Sequence, residues 1–149
     1  MSAYLSLAGS EKMTEVAVQK PTTNRILVLA TISCAYPGAD TVGQAHIDYP
    51  DNVFVLRVPA PVLFPADFYL RSFEKGIGGI IIMACGTDCP YHGAYPQLAA
   101  RVDGLFRPLK ERGIDPRRIR LTSICTVCTG AFLKEVNQMN QLLQELGAA

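Results

Sequence analysis

Five cysteines, Cys34, Cys85, Cys89, Cys125 and Cys128, are the residues of this chain best suited to chemistry. Four of them fall into two close pairs, Cys85-x₃-Cys89 and Cys125-x₂-Cys128. Thiolates are soft ligands that select iron–sulfur clusters, zinc or copper(I), and an iron–sulfur cluster or a structural zinc takes four ligands. A C-x₂-C pair closes on one metal through both sulfurs, and the glycine in the C-x₃-C loop allows similar closeness. The spacing leaves other readings open. A C-x₂-C pair just before a helix is also the arrangement of a thiol–disulfide dithiol, although Thr126 and Val127 supply no charge that would activate one. A lone cysteine is most often a small buried hydrophobe, and Cys34 is open to that reading. Secreted disulfide frameworks are smaller and usually carry an even number of cysteines. Clustered thiols in a reducing compartment are therefore expected to bind metal or do redox work.

The other polar residues near the thiols have plainer explanations. His92 lies three residues after Cys89 and is a candidate nitrogen ligand, but a solvated loop histidine is the simpler reading; His46 reads as surface. Tyr36, Tyr91 and Tyr95 flank the thiols as packing residues, and Asp40 and Asp88 as caps or turn residues. No catalytic triad, carboxylate pair or P-loop stands out. Gly76-Ile77-Gly78-Gly79 follows a helix and precedes a strand, the wrong context for a dinucleotide fingerprint. A net charge of +1 gives no electrostatic case for nucleic acid. With 49% hydrophobic and 18% charged residues the charged coat is thin, so part of the surface is expected to be covered by a partner. The apolar runs are far short of a membrane span and the N-terminus lacks a signal-peptide core. The expected location is the cytoplasm.

The elements that must position the cysteines follow from hydrophobic patterning. Residues 1–24 read as an arm or linker, with a short strand at Glu15–Val18, and residues 25–149 as one domain. Buried strands are predicted at Arg25–Thr31 and Gly79–Ala84, a further strand at Val53–Val58, and a less buried one at Ile119–Ser123, nearer an edge. Helices are predicted over Asp40–Ile47, Pro65–Lys75, Tyr95–Arg112 and Gly130–Leu146. This alternation implies an α/β fold: an open, mainly parallel four-stranded sheet in the flavodoxin-like order 2-1-3-4, with helices on both faces. Cys34 then follows strand one, Cys85 and Cys89 follow strand three, and Cys125 and Cys128 follow strand four. These three strands are neighbours, about 5 Å apart per step. All five thiols are therefore expected to converge at the carboxyl edge of the sheet, where open α/β folds place their ligands.

Several stretches carry a family resemblance: CAYPGAD at Cys34–Asp40, YPDNVFVLRV at Tyr49–Val58, FEKGIGGIIIMAC at Phe73–Cys85, DCPY at Asp88–Tyr91 and RGIDPRRIRL at Arg112–Leu121. In these, over about Arg25 to Gly147, the chain resembles the delta subunit of methyl-viologen-reducing hydrogenase, the small iron–sulfur protein that accompanies heterodisulfide reductase. The resemblance implies a [2Fe-2S] cluster that passes electrons between an oxidoreductase module and a flavin-containing heterodisulfide-reductase A-like subunit, which can take part in electron bifurcation. It implies a module of hydrogenase, formate dehydrogenase, methylene-tetrahydrofolate reductase or benzoyl-CoA reductase type. The chain departs from the family pattern at Thr31 and Ala60, where the resemblance implies cysteines, and shortens the family's C-x₄-C to Cys85-x₃-Cys89. It adds Cys125 and Cys128 where the family usually has none. Two cysteines lost and two gained at one sheet edge suggest a rebuilt cluster on ligands drawn from all five thiols. The alternatives are a structural adaptor with zinc or no metal, and a dithiol oxidoreductase.

Overall fold

The computed structural model describes residues 24–126 and 128–147. The strand expected at Glu15–Val18 lies outside the described residues. The elements in chain order are β1 (Ile26–Thr31), α1 (Ala35–Gln44), β2 (Val53–Val58), α2 (Ala66–Glu74), β3 (Gly79–Ala84), α3 (Ala94–Glu111), β4 (Ile119–Ser123) and α4 (Thr129–Gly147). The four strands form one sheet, ordered β2-β1-β3-β4 and parallel throughout. This is the expected α/β architecture.

Alternation along the strands builds a core on each face of the sheet. Val28 and Ala30 of β1, with Ile81 and Met83 of β3, pack against Val42 of α1 and against Phe132, Val136, Met139 and Leu143 of α4. On the other face Leu29, Ile80 and Ile82 meet Tyr69 and Phe73 of α2 and Leu98, Val102, Leu105 and Leu109 of α3. All six residues of β3 are buried, as its unbroken apolar run requires. β2 and β4 are the edge strands; β4 is less buried than β3, as its alternating sequence predicts, and β2 is more exposed still, with Phe54, Leu56 and Arg57 open to solvent. Among the described residues no helix is long and apolar enough to cross a membrane.

Two expectations need correction. The first helix starts at Ala35, not Asp40, and ends at Gln44, short of Ile47. Pro37 looks like a loop residue, but it falls in the first helical turn, where a missing N–H removes no helix hydrogen bond. The helix stops because His46 turns left-handed, with φ 52°, while the Ile47 N–H donates back to the Val42 carbonyl. The apolar residues Phe68, Leu70, Phe73 and Ile77 predict one broad buried face for α2, whereas the fully buried pair is Tyr69 and Phe73, with Phe68, Leu70 and Ile77 only packed against it.

Tyr69 also ties the core to the loop that follows β2. It is fully buried, and its hydroxyl donates to the Pro61 carbonyl at 3.4 Å. Arg101 of α3 holds the same loop by donating to the carbonyls of Val62 and Phe64. Burial pushes the Tyr69 phenol up to about 12, with the Arg101 charge opposing it. The folded-state value lies above the unfolded value of about 10. The neutral phenol's contribution to stability is therefore complete below about pH 10 and is lost as the pH climbs through about 12. We predict that wild-type stability falls more steeply than that of Tyr69→Phe over this window. At neutral pH the two should lie within about 1 kcal/mol, because the hydrogen bond is long. Urea midpoints measured against pH check this, and parallel curves would refute it.

Candidate functional site

The cysteines occupy the ends of three adjacent strands. Cys34 lies three residues past β1 as the N-cap of α1, and Cys85 directly follows β3. Cys125 follows β4 by two residues, and Cys128 directly precedes α4, where its carbonyl accepts the N–H groups of Ala131 and Phe132. Local bonds set these exits. The Cys34 N–H donates to the Thr31 carbonyl and turns the chain out of the sheet. The Ile124 N–H donates to the Ala84 carbonyl at 3.0 Å, so the β3–β4 ladder continues just far enough for Cys85 and Cys125 to leave beside each other. Gly86 must be glycine for two reasons: its φ is +62°, and a Cβ there would lie 3.0 Å from the Ser123 Cβ.

The structure joins Cys34 to Cys85 and Cys125 to Cys128 as disulfides, with Cα separations of 5.6 and 5.4 Å. All four sulfur-bearing residues line one open cavity of about 710 Å³ at the carboxyl edge. Ser33, Thr87, Ser123 and Thr126 contribute hydroxyl-bearing residues to its lining, and Asp88 its carboxylate. The Ser33 Oγ lies 3.4 Å from the Cys85 Sγ. Because Cys34 and Cys128 sit at the starts of α1 and α4, two helix N-termini with their partial positive charge adjoin the cavity. That field favours anionic sulfur.

Cys89 is set apart from the other four. It is the free cysteine, half-buried, beyond the 3₁₀ turn Gly86–Asp88. It lines a cavity of about 220 Å³ with Tyr91 and His92, both exposed. It also lines a pocket of about 20 Å³ shared with Thr31, Ala60, Cys85 and Tyr95. Thr31 and Ala60 are the two positions where the resemblance implies cysteines. The space between them is closed: the buried Thr31 hydroxyl donates to the Met83 carbonyl at 2.8 Å, and the residual pocket is about the size of one water. The convergence expected of five thiols is thus a convergence of four, with Cys85 on the wall between the large cavity and the small one.

The remaining candidates are peripheral. His46 is exposed just past α1. Tyr36 packs beside the core of the α1 and α4 face, with Arg57 stacked 5.1 Å from its ring centre. Asp40 lies within α1 and accepts a bond from Gln44 at 2.6 Å. Ser33 is a site residue that sequence patterning does not mark. Its position beside Cys34 is visible there, but its contact with Cys85, 52 residues away, appears only once β1 and β3 are paired.

Four soft sulfurs around one cavity are the donor set that an iron–sulfur cluster takes, and the space beside them is large enough to admit one. While the sulfurs are paired, no open group of three or more metal-ligating side chains exists among the described residues. Freeing all four thiols consumes four electrons and four protons, two of each per disulfide.

A family model described as "Methyl-viologen-reducing hydrogenase, delta subunit" matches residues 26–147. Among curated proteins, the chain is 32% identical over 116 residues to the A subunit of the ferredoxin/F420H2-dependent CoB-CoM heterodisulfide reductase of Methanosarcina acetivorans. That match covers 76% of this chain but 14% of the longer protein. The chain is 29% identical over 123 residues to the iron-sulfur D subunit of the F420-non-reducing hydrogenase of Archaeoglobus profundus, covering 82% of this chain and 90% of that one. Against the vhu iron-sulfur D subunit of Methanocaldococcus jannaschii the identity is 26%, with 82% and 92% covered.

The pairing predicts a thiol count. Metal-free, air-oxidised chain should react with Ellman's reagent at one thiol, Cys89, and with all five after reduction in denaturant. Three or more reactive thiols in the oxidised folded chain would refute the pairing.

Proposed function

The chain belongs to the methyl-viologen-reducing hydrogenase delta-subunit family, and we propose that it is an electron-transfer subunit whose iron–sulfur cluster is held by Cys34, Cys85, Cys125 and Cys128. The observation that carries this reading is that these four of the five cysteines line one cavity. The pocket formed by Thr31, Ala60 and Cys89 is too small to hold a cluster. This is a rebuilt site: the cysteines gained after β4 take the place of the two missing at Thr31 and Ala60, on the opposite side of Cys85. We assign a [2Fe-2S] cluster, which four cysteine sulfurs complete.

When bound, such a cluster supplies reversible one-electron transfer. The chain's own residues do the rest. The two helix N-termini stabilise the anionic ligand set, the buried Cys34 and half-buried Cys85 limit water at one side, and the sheet fixes the sulfurs relative to one another.

The partners we propose are a heterodisulfide-reductase A-like flavoprotein and an oxidoreductase module of the hydrogenase type. The formate dehydrogenase, methylene-tetrahydrofolate reductase and benzoyl-CoA reductase types are further members of the same class, and electron bifurcation is the setting. Support comes from the Methanosarcina acetivorans relative, a heterodisulfide reductase A subunit that includes a segment similar to this chain. Three exposed apolar residues on loops past β1, β2 and β3, namely Ile32, Leu63 and Tyr91, offer contact surface around the site. The reducing cytoplasm is the compartment in which four free thiols would persist.

The pair Cys125–Cys128 gives a second reading, a dithiol oxidoreductase. Its disulfide and the exposure of Cys125 favour it.

We predict that anaerobically purified chain carries about two irons and two acid-labile sulfides, with an EPR signal after reduction. The double variant Cys125→Ser/Cys128→Ser should lose the iron and the visible absorption, while Cys89→Ser keeps both. Retention of the full spectrum without Cys125 and Cys128 would eliminate them as ligands. Zinc alone, or a metal-free chain that still assembles with its partner, would favour the adaptor reading. A reversible dithiol titration in metal-free protein would favour the second.

A further inference from the structure

We propose that Ser33 sets the reduction potential of the site by donating a hydrogen bond to the sulfur of Cys85; this rests on the electron-transfer reading above. The Ser33 Oγ lies 3.4 Å from the Cys85 Sγ, a hydrogen-bonding distance for the larger sulfur atom. The direction of donation is settled by chemistry. In the disulfide the Cys85 sulfur carries no proton, and as a metal ligand it would carry none either, so the hydroxyl must donate in both states. Among the described residues, the other hydroxyl-bearing residues at the cavity, Thr87, Ser123 and Thr126, make no hydrogen bond to a cysteine sulfur.

The contact is held by the fold and does not depend on a flexible side chain reaching across. Ser33 lies in the tight turn closed by the Cys34 N–H on the Thr31 carbonyl. Cys85 leaves β3 opposite the end of β1, where the register pairs Ala30 with Met83. The serine side chain is short, so the donor and the sulfur are positioned by two adjacent strands.

A donor at a ligand sulfur stabilises whichever redox state puts more negative charge on that sulfur, and this is the reduced state. The hydrogen bond therefore raises the potential. The electron arrives from the partner and leaves to the partner; Ser33 keeps its proton throughout. A charge-assisted hydrogen bond of this kind favours the reduced state about tenfold at a fixed potential, which is ~59 mV for a one-electron couple. Ser33 is exposed, so its replacement leaves the core untouched.

The test uses full-length wild-type, Ser33→Ala and Ser33→Thr chains, each assayed for iron and sulfide and then titrated potentiometrically by EPR. The expected result is equal cluster content in all three, a lowered midpoint in Ser33→Ala by about the tenfold shift above, and a wild-type-like midpoint in Ser33→Thr, which keeps the hydroxyl. Equal midpoints in loaded wild type and Ser33→Ala would overturn the inference while leaving the electron-transfer reading intact. Iron lost from Ser33→Ala alone would also overturn it, by making Ser33 a residue of cluster retention. Wild-type chain that takes up neither iron nor sulfide would overturn the electron-transfer reading itself, and this inference with it.

Discussion

Everything at the site depends on β3 being hydrogen-bonded in parallel to β1 on one side and β4 on the other. Parallel pairing sends all three chain exits to the same edge, and the ladder spacing of about 4.8 Å brings them close. An antiparallel edge strand would have sent Cys125 and Cys128 to the opposite end of the sheet. The six consecutive buried residues of β3 enforce this arrangement, because a strand with that much apolar surface is stable only with helices on both faces and a strand on each side. The core and the site are thus two consequences of one run of sequence, Gly79–Ala84.

Around that frame the chain has arranged its polar atoms sparingly. The loops past β1 and β4 each run straight into a helix, and in both cases a cysteine occupies the junction. Backbone N–H groups that would otherwise need a capping side chain are thereby left near sulfur. Neither Cys34 nor any other side chain caps α1, so the positive end of that helix stays open beside the cavity that Cys34 lines. On the far side of Cys85 the treatment is the reverse. A threonine hydroxyl satisfied by a backbone carbonyl, an alanine and Pro61 close the space beside Cys89 with groups that coordinate nothing.

The legible parts of the sequence are those where one periodicity has no competitor. β3 can be read to the residue, since a β-branched run between glycines has few alternatives, and with it come the strand order and the shared edge of the cysteines. α1 reads five residues late because Pro37 and Gly38 look like loop chemistry, and only the helix's actual start shows that Pro37 stands where proline is harmless. Tyr69 escapes a sequence reading because a tyrosine among Phe68, Leu70 and Phe73 carries no mark of being the one turned inward. The separation of Cys89 from the other thiols is not legible at all. It depends on the left-handed Gly86 and the 3₁₀ turn it opens: Thr87, Asp88 and Pro90 still line the large cavity, and Cys89 among them is turned aside.

The link between Cys34 and Cys85 spans 51 residues and closes α1, β2, α2 and β3 into a ring. In the chain-entropy account, a cross-link over a loop of that length removes about 4 kcal/mol of disorder from the unfolded chain, whereas the three-residue span of Cys125–Cys128 contributes far less. Any group bridging all four sulfurs takes over the long cross-link and adds a third anchor point at the end of β4. Cargo and staple are then the same object: the chain is most easily unravelled in the interval when its thiols are reduced and nothing yet joins them.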